Sequence, residues 1–87
     1  MKTINYKVNT MDKFYNVFEN VILKNIFVDV TGFYNKRMIY INLREPNKDK
    51  KMFLVVVNVN MSKESYINCL HHVKSISIKD QLKINGF

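Results

Sequence analysis

Apolar and polar residues alternate without a break from Thr3 to Asn9, with Ile4, Tyr6 and Val8 on one side and Asn5, Lys7 and Asn9 on the other. At Thr10 the period changes to three and four, through Met11, Phe14, Tyr15, Phe18, Val21 and Ile22. A period of two marks a half-buried strand and a period near 3.6 an amphipathic helix, so a strand must run straight into a helix and the fold must be mixed. Thr10 is placed to cap that helix, with Asp12 in its first turn and Lys24 in its last, where the helix dipole favours each charge.

The rest of the chain reads in the same way. Asn25 can end the helix, and Ile26, Val28 and Val30 alternating with Phe27, Asp29 and Thr31 predict a second strand, closed by a turn over Gly32 to Lys36. Arg37 to Arg44 predicts a third strand, with Ile39, Ile41 and Leu43 inward and Met38, Tyr40 and Asn42 on the other face. Pro46, Asn47 and Asp49 among lysines make Glu45 to Lys51 a hairpin tip. Met52 to Asn60, with Val55, Val56, Val57 and Val59, is apolar on both faces, as a central strand is. Ser62 caps a second helix of about three turns with Tyr66, Cys69, Leu70 and Val73 inward. Ile76 and Ile78, then Leu82 and Ile84, predict a last strand with a bulge or a short second hairpin.

The expected fold is therefore α+β: a two-layer sandwich, a mostly antiparallel four- to five-stranded sheet with two helices on one face, in the order β-α-β-β-β-α-β. With 87 residues the chain has room for one core, so residues 1–87 form a single domain. A ferredoxin-like plan fits only if Ile26 to Leu43 is one long bent strand, and Gly32 argues for a turn there. The stretch Thr10 to Val73 has the helix, three strands, helix order of a double-stranded-RNA-binding domain. It departs from that pattern where such domains carry a lysine cluster at the start of the last helix, since only Lys63 stands there, beside Glu64. The glycine and aromatic pattern of an RNA-recognition motif is missing from Met52 to Asn60.

Charge narrows the function. Fourteen basic residues against seven acidic ones give a net charge of +7, which draws polyanions, nucleic acid first among them. Phe33, Tyr34, Lys36 and Arg37 in one loop, with Arg44, Lys48, Lys50 and Lys51 in another, combine rings that can stack bases with cations that can hold phosphates. The two loops fall at opposite ends of the strand Arg37 to Arg44, roughly 25 Å apart. The simpler reading of the second loop is a solvated tip whose charges block edge-to-edge aggregation.

Other chemistries lack a member. Two glycines and one proline leave no glycine-rich phosphate loop. Cys69 and His72 share a helix face beside His71, but no second cysteine exists, so a structural zinc set is incomplete; no metal and no cofactor is expected. The carboxylates are scattered and Cys69 points inward, so no catalytic set converges and the chain is expected not to be an enzyme. A lone cysteine, no signal-peptide pattern and no apolar run longer than Met52 to Val57 place the expectation in the cytoplasm and away from membranes.

The expected function is a small binding module that engages nucleic acid or a nucleoprotein through the basic hairpin. The alternative is a protein-protein adaptor or inhibitor, such as a phage or plasmid makes against a host enzyme, with homodimerisation through a strand edge included. The residue bias, rich in asparagine, lysine and isoleucine and without alanine or tryptophan, is that of an AT-rich genome and permits either.

Overall fold

The alternating segment forms β1 (Lys2–Val8), and Thr10 ends it by capping α1 (Met11–Val17): its backbone is extended and its hydroxyl accepts a hydrogen bond from the Lys13 N–H at 3.2 Å. The computed structural model describes residues 2–46 and 51–84. Over Phe18–Ile22 the helix widens into a π-turn, with the Leu23 N–H donating to the Phe18 carbonyl at 2.8 Å. Phe14, Phe18 and Ile22 stand four apart, and each step of four overshoots an α-helical turn by about 40°. The wider turn takes that drift back, and all three rest in the core.

The chain continues through β2 (Ile26–Phe33), a 3-10 turn at Tyr34–Lys36, β3 (Met38–Arg44), β4 (Met52–Val59) and α2 (Lys63–Ile84). The strands form one sheet in the order β1-β4-β3-β2. The first helix carries the chain from one sheet edge to the other and returns it to the same end, so β2 runs in the direction of β1. Two antiparallel turns of the chain then bring β4 parallel to β1. Ile39, Ile41 and Leu43 from β3 and Val55, Val57 and Val59 from β4 face Phe14, Phe18, Tyr66, Cys69 and Val73 in a single buried cluster. Both helices thus cover one face, and they meet each other where His72 packs 4.6 Å from Phe18 and 5.4 Å from Tyr15, ring centre to ring centre.

Three expectations are corrected. The predicted last strand over Ile76 to Ile84 is helix: α2 is a single helix of 22 residues, and the order is β-α-β-β-β-α with four strands among the described residues. Nothing between Ser62 and Ile84 breaks a helix, and Val73, Ile76 and Ser77 carry on the inward stripe of Tyr66 and Cys69. Extending an existing helix costs little even for β-branched residues. Second, Gly32 is no turn residue. It lies inside β2, opposite Ile39, where α2 passes so close that a Cβ would stand 2.6 Å from Leu70 Cδ2 and 2.8 Å from the Tyr66 hydroxyl. Third, the alternation of β2 shifts at a bulge: the register moves from Phe27–Leu43 to Asp29–Asn42, leaving Val28 outward and turning Phe27 and Val30 to the helices. Three separate strands between the helices exclude the ferredoxin-like order. The order helix, three strands, helix that suggested a double-stranded-RNA-binding plan is present, with β1 added before it.

Candidate functional site

With both helices on one face, the other face of the sheet carries no helix among the described residues, and its residues fall into rows set by the register. Nearest the β2–β3 turn lie Phe33, Met38, Asn58 and Lys7; next come Thr31, Tyr40, Val56 and Asn5; then Asp29, Asn42, Leu54 and Thr3. Arg44 and Met52 close the face at the far end. Phe33 is 50% exposed and meets Tyr40 edge-on, ring centres 5.3 Å apart. Val56 beneath them is only 5% exposed, so the centre of this face is a packed apolar floor between amide side chains. Asn5, Lys7, Met38, Val56 and Asn58 line a shallow depression there.

The sequence-derived candidates divide. Phe33 and Lys36 are exposed beside the open face, as the loop reading expects. Tyr34 and Arg37, from the same loop, are engaged inside the protein. Tyr34 packs against the core at 5.7 Å from Tyr66, and its ring lies under the Arg37 guanidinium (5.5 Å) and the Lys63 ammonium (5.0 Å). Arg37 takes a left-handed backbone, φ 56°, and its side chain donates from Nη1 to the Tyr34 carbonyl at 3.1 Å and from Nε to the Met61 carbonyl at 3.4 Å. It ties the turn to the segment that leads into α2. At the other end of β3, Arg44 is half-buried and Lys51 exposed; Lys48 and Lys50 lie outside the described residues. The two groups stand at opposite ends of β3, as the sequence implies.

The thiol and the hydroxyls can be assigned. Cys69 is fully buried, its thiol 3.7 Å from Met11 Sδ, and burial pushes its pKa up to about 11. It is a core residue and a poor nucleophile. The Tyr66 hydroxyl donates to the Met38 carbonyl at 2.8 Å; burial raises its pKa above the ordinary value and the nearby Arg37 charge opposes part of that rise. The Tyr34 hydroxyl is buried with no hydrogen-bond partner among the described residues. Among the described residues no three histidine, cysteine or carboxylate side chains stand close enough to hold a metal ion, and no helix is long and apolar enough to cross a membrane.

Sequence reasoning missed Tyr40, Asn42 and Asn58 as members of one surface with Phe33. Their outward alternation was visible, but only the placement of both helices on the opposite face leaves that side of the sheet open. It also missed Lys63, whose partner ring belongs to a loop far away in sequence. Comparisons with protein-family models, curated proteins and solved structures found no match to this chain.

Proposed function

We propose that the protein is a non-enzymatic binding module that takes single-stranded nucleic acid across the open face of its sheet. The observation that carries this reading is the Phe33–Tyr40 ring pair on that face, half-exposed at Phe33, with asparagine side chains in the adjoining rows and Lys7 and Arg44 at its ends. An unstacked base can lie on such a ring, while side-chain amides offer a donor and an acceptor to its edge. Lys36 in the adjoining turn adds a cation for the backbone, and the net charge of +7 draws the polyanion in. The one acid on the face, among the described residues, is Asp29, beside Asn42 in the row farthest from the ring pair. A duplex hides its bases and gains nothing from an exposed ring, so single strands are the favoured form.

Fluorescence anisotropy with labelled single- and double-stranded oligonucleotides over a salt series tests this. Expected are preference for single strands, a steep fall of log K with log salt, and a loss of about ten-fold or more in Phe33→Ala, the size of one stacked base. Absence of binding at low salt, or tighter binding of duplex than of single strands, refutes the open-face reading.

A further inference from the structure

The two edges of the sheet are not alike. The Val8 carbonyl accepts a hydrogen bond from the Asn60 N–H at 2.8 Å, so Val8 turns its backbone groups toward β4. Successive residues of a strand turn theirs to opposite sides, so Thr3, Asn5 and Lys7 point their N–H and C=O groups away from the sheet. All three are exposed, and β4 is the sheet neighbour of β1 on the other side. The opposite edge, β2, is interrupted by its bulge at Val28 and packed against α2, features that discourage strand addition. β1 pairs in unbroken register along its whole length and has no proline.

Beside this edge, between β1 and the helical stretch 11–22, runs a groove of about 340 Å³, and a second of about 280 Å³ continues it past Asn20 and Val21 to the end of the sheet at Met52 and Phe53. Ile4, Tyr6, Val17 and Val21 form their apolar floor and are only half-buried. Lys7 and Lys13 rim one groove; Lys2, Lys24 and Lys51 rim the other. Glu45 is the acid among the lining residues, and it is itself engaged in an interaction within the chain.

We propose that this edge docks an extended segment of a partner protein with an apolar centre and acidic ends, which adds to the sheet beside β1, drops alternate side chains of its centre into the groove and sets its terminal carboxylates against the lysines at the two ends of that groove. The site shares Lys7 and the outer strand with the open face but lies on the helix side of that strand, and it goes beyond the nucleic-acid reading. Charge complementarity chooses the occupant. A second copy pairing through the same edge would bring Lys2, Lys7, Lys13 and Lys24 of two chains together, where like charges repel. A polynucleotide would satisfy the lysines but has no row of donors and acceptors at strand spacing to answer Thr3, Asn5 and Lys7, as a peptide has.

The full chain is titrated with a labelled peptide that has valines at its centre and two glutamates at each end, seven residues long to match β1, and with a peptide of the same composition in which the glutamates are gathered at the centre. Amide exchange and shifts of Thr3, Asn5 and Lys7 are followed by NMR. The acid-ended peptide is expected to bind about ten-fold more tightly and to protect those amides. Asn5→Pro removes an outward N–H while leaving the ladder to β4, and it is expected to cut peptide affinity about five-fold or more. Lys13→Glu with Lys24→Glu changes only helix and loop charge beside the groove and is expected to cut it as far, which keeps the test decisive should the proline variant fold poorly. Equal affinity for the acid-centred peptide, or affinity unchanged in the charge-reversed variant, overturns the proposal. So does protection of these amides by a single-stranded oligonucleotide instead of the peptide, or self-association of the chain that Asn5→Pro abolishes.

Discussion

Replacing Gly32 by alanine puts the packing of α2 on β2 to a direct test. In a strand interior, glycine to alanine gains about 0.5–1 kcal/mol from the smaller entropy of the unfolded chain. At Gly32 that gain meets a steric cost. The added Cβ would lie 2.6 and 2.9 Å from the two Leu70 methyls and 2.8 Å from the Tyr66 hydroxyl. Leu70 is half-buried and its methyls can swing aside. Tyr66 cannot: it is fully buried and its hydroxyl is held by the Met38 carbonyl at 2.8 Å. Moving it breaks that bond and leaves buried polar groups unpaired, worth about 1–3 kcal/mol, and overpacking of a tight core adds about 1–3 kcal/mol. Less the entropic gain, Gly32→Ala is expected to destabilise by about 1–5 kcal/mol, lowering Tm by about 5 °C or more in a domain of this size.

Urea unfolding of Gly32→Ala, Tyr66→Phe and the double variant measures this and separates its parts. Tyr66→Phe removes the oxygen that the Cβ would strike, so the double variant should be less destabilised than the sum of the two singles, by about 1 kcal/mol. Gly32→Ala as stable as the parent would refute the close approach of α2. Strict additivity would refute the assignment of the cost to the tyrosine hydroxyl.

The remaining predictions rest on other buried groups. Tyr34→Phe removes a buried hydroxyl that has no partner among the described residues and is expected to leave stability unchanged or raise it by up to about 1 kcal/mol, read from the urea midpoint. Because burial holds the Cys69 pKa at about 11 in the folded state against an ordinary 9.0, the unfolded chain loses that proton first as pH rises. The stability it confers is therefore complete below pH 9.0 and is lost as pH climbs through about 11, with Tyr66 adding to the fall from its own ordinary value of 10.0 upward. Denaturation midpoints across that range should fall in the parent and fall less in Cys69→Ala. The same thiol should react with a disulfide reagent only as fast as the protein unfolds; rapid labelling of the native chain would contradict its burial. Ser75→Pro, inside α2, should cost about 3 kcal/mol and reduce helical circular dichroism, whereas a chain whose second helix stopped at Val73 would tolerate it.

The reading of residues 74–84 shows where local pattern runs out. Ile76 and Ile78 alternate with Ser77, and three residues of alternation cannot be told from three residues of a helix stripe. What decides is the helix already formed from Lys63 to Val73, which a stretch lacking glycine and proline, with its apolar residues on the inward stripe, extends at little cost. Gly32 failed for the opposite reason. A glycine between apolar runs usually marks a turn, but here its cause is Tyr66 and Leu70 on α2, which no local window contains. The elements whose periodicity was long and uninterrupted, β1, the first helix, β3 and β4, stand where the sequence put them, to within a residue or two.

The candidate site was legible in the same partial way. The loop Phe33, Tyr34, Lys36, Arg37 holds two rings and two cations in sequence, and by composition they are equivalent. Packing separates them. Val59 N–H donates to the Arg37 carbonyl at 2.8 Å, the Arg37 side chain reaches Met61, and Lys63 lies over Tyr34, so the chain that leaves β4 enters α2 across this loop. Tyr34 and Arg37 are the members that touch that segment, and they become part of the fold; Phe33 and Lys36 do not, and remain open. Which half of a basic aromatic loop is left for a ligand is thus set by the element that crosses it, and strand order decides which element that is. That order follows from where the first helix delivers the chain after β1. The same crossing leaves β1 as an edge with α1 beside it, so the open face and the open edge both follow from placing both helices on one side of a four-stranded sheet.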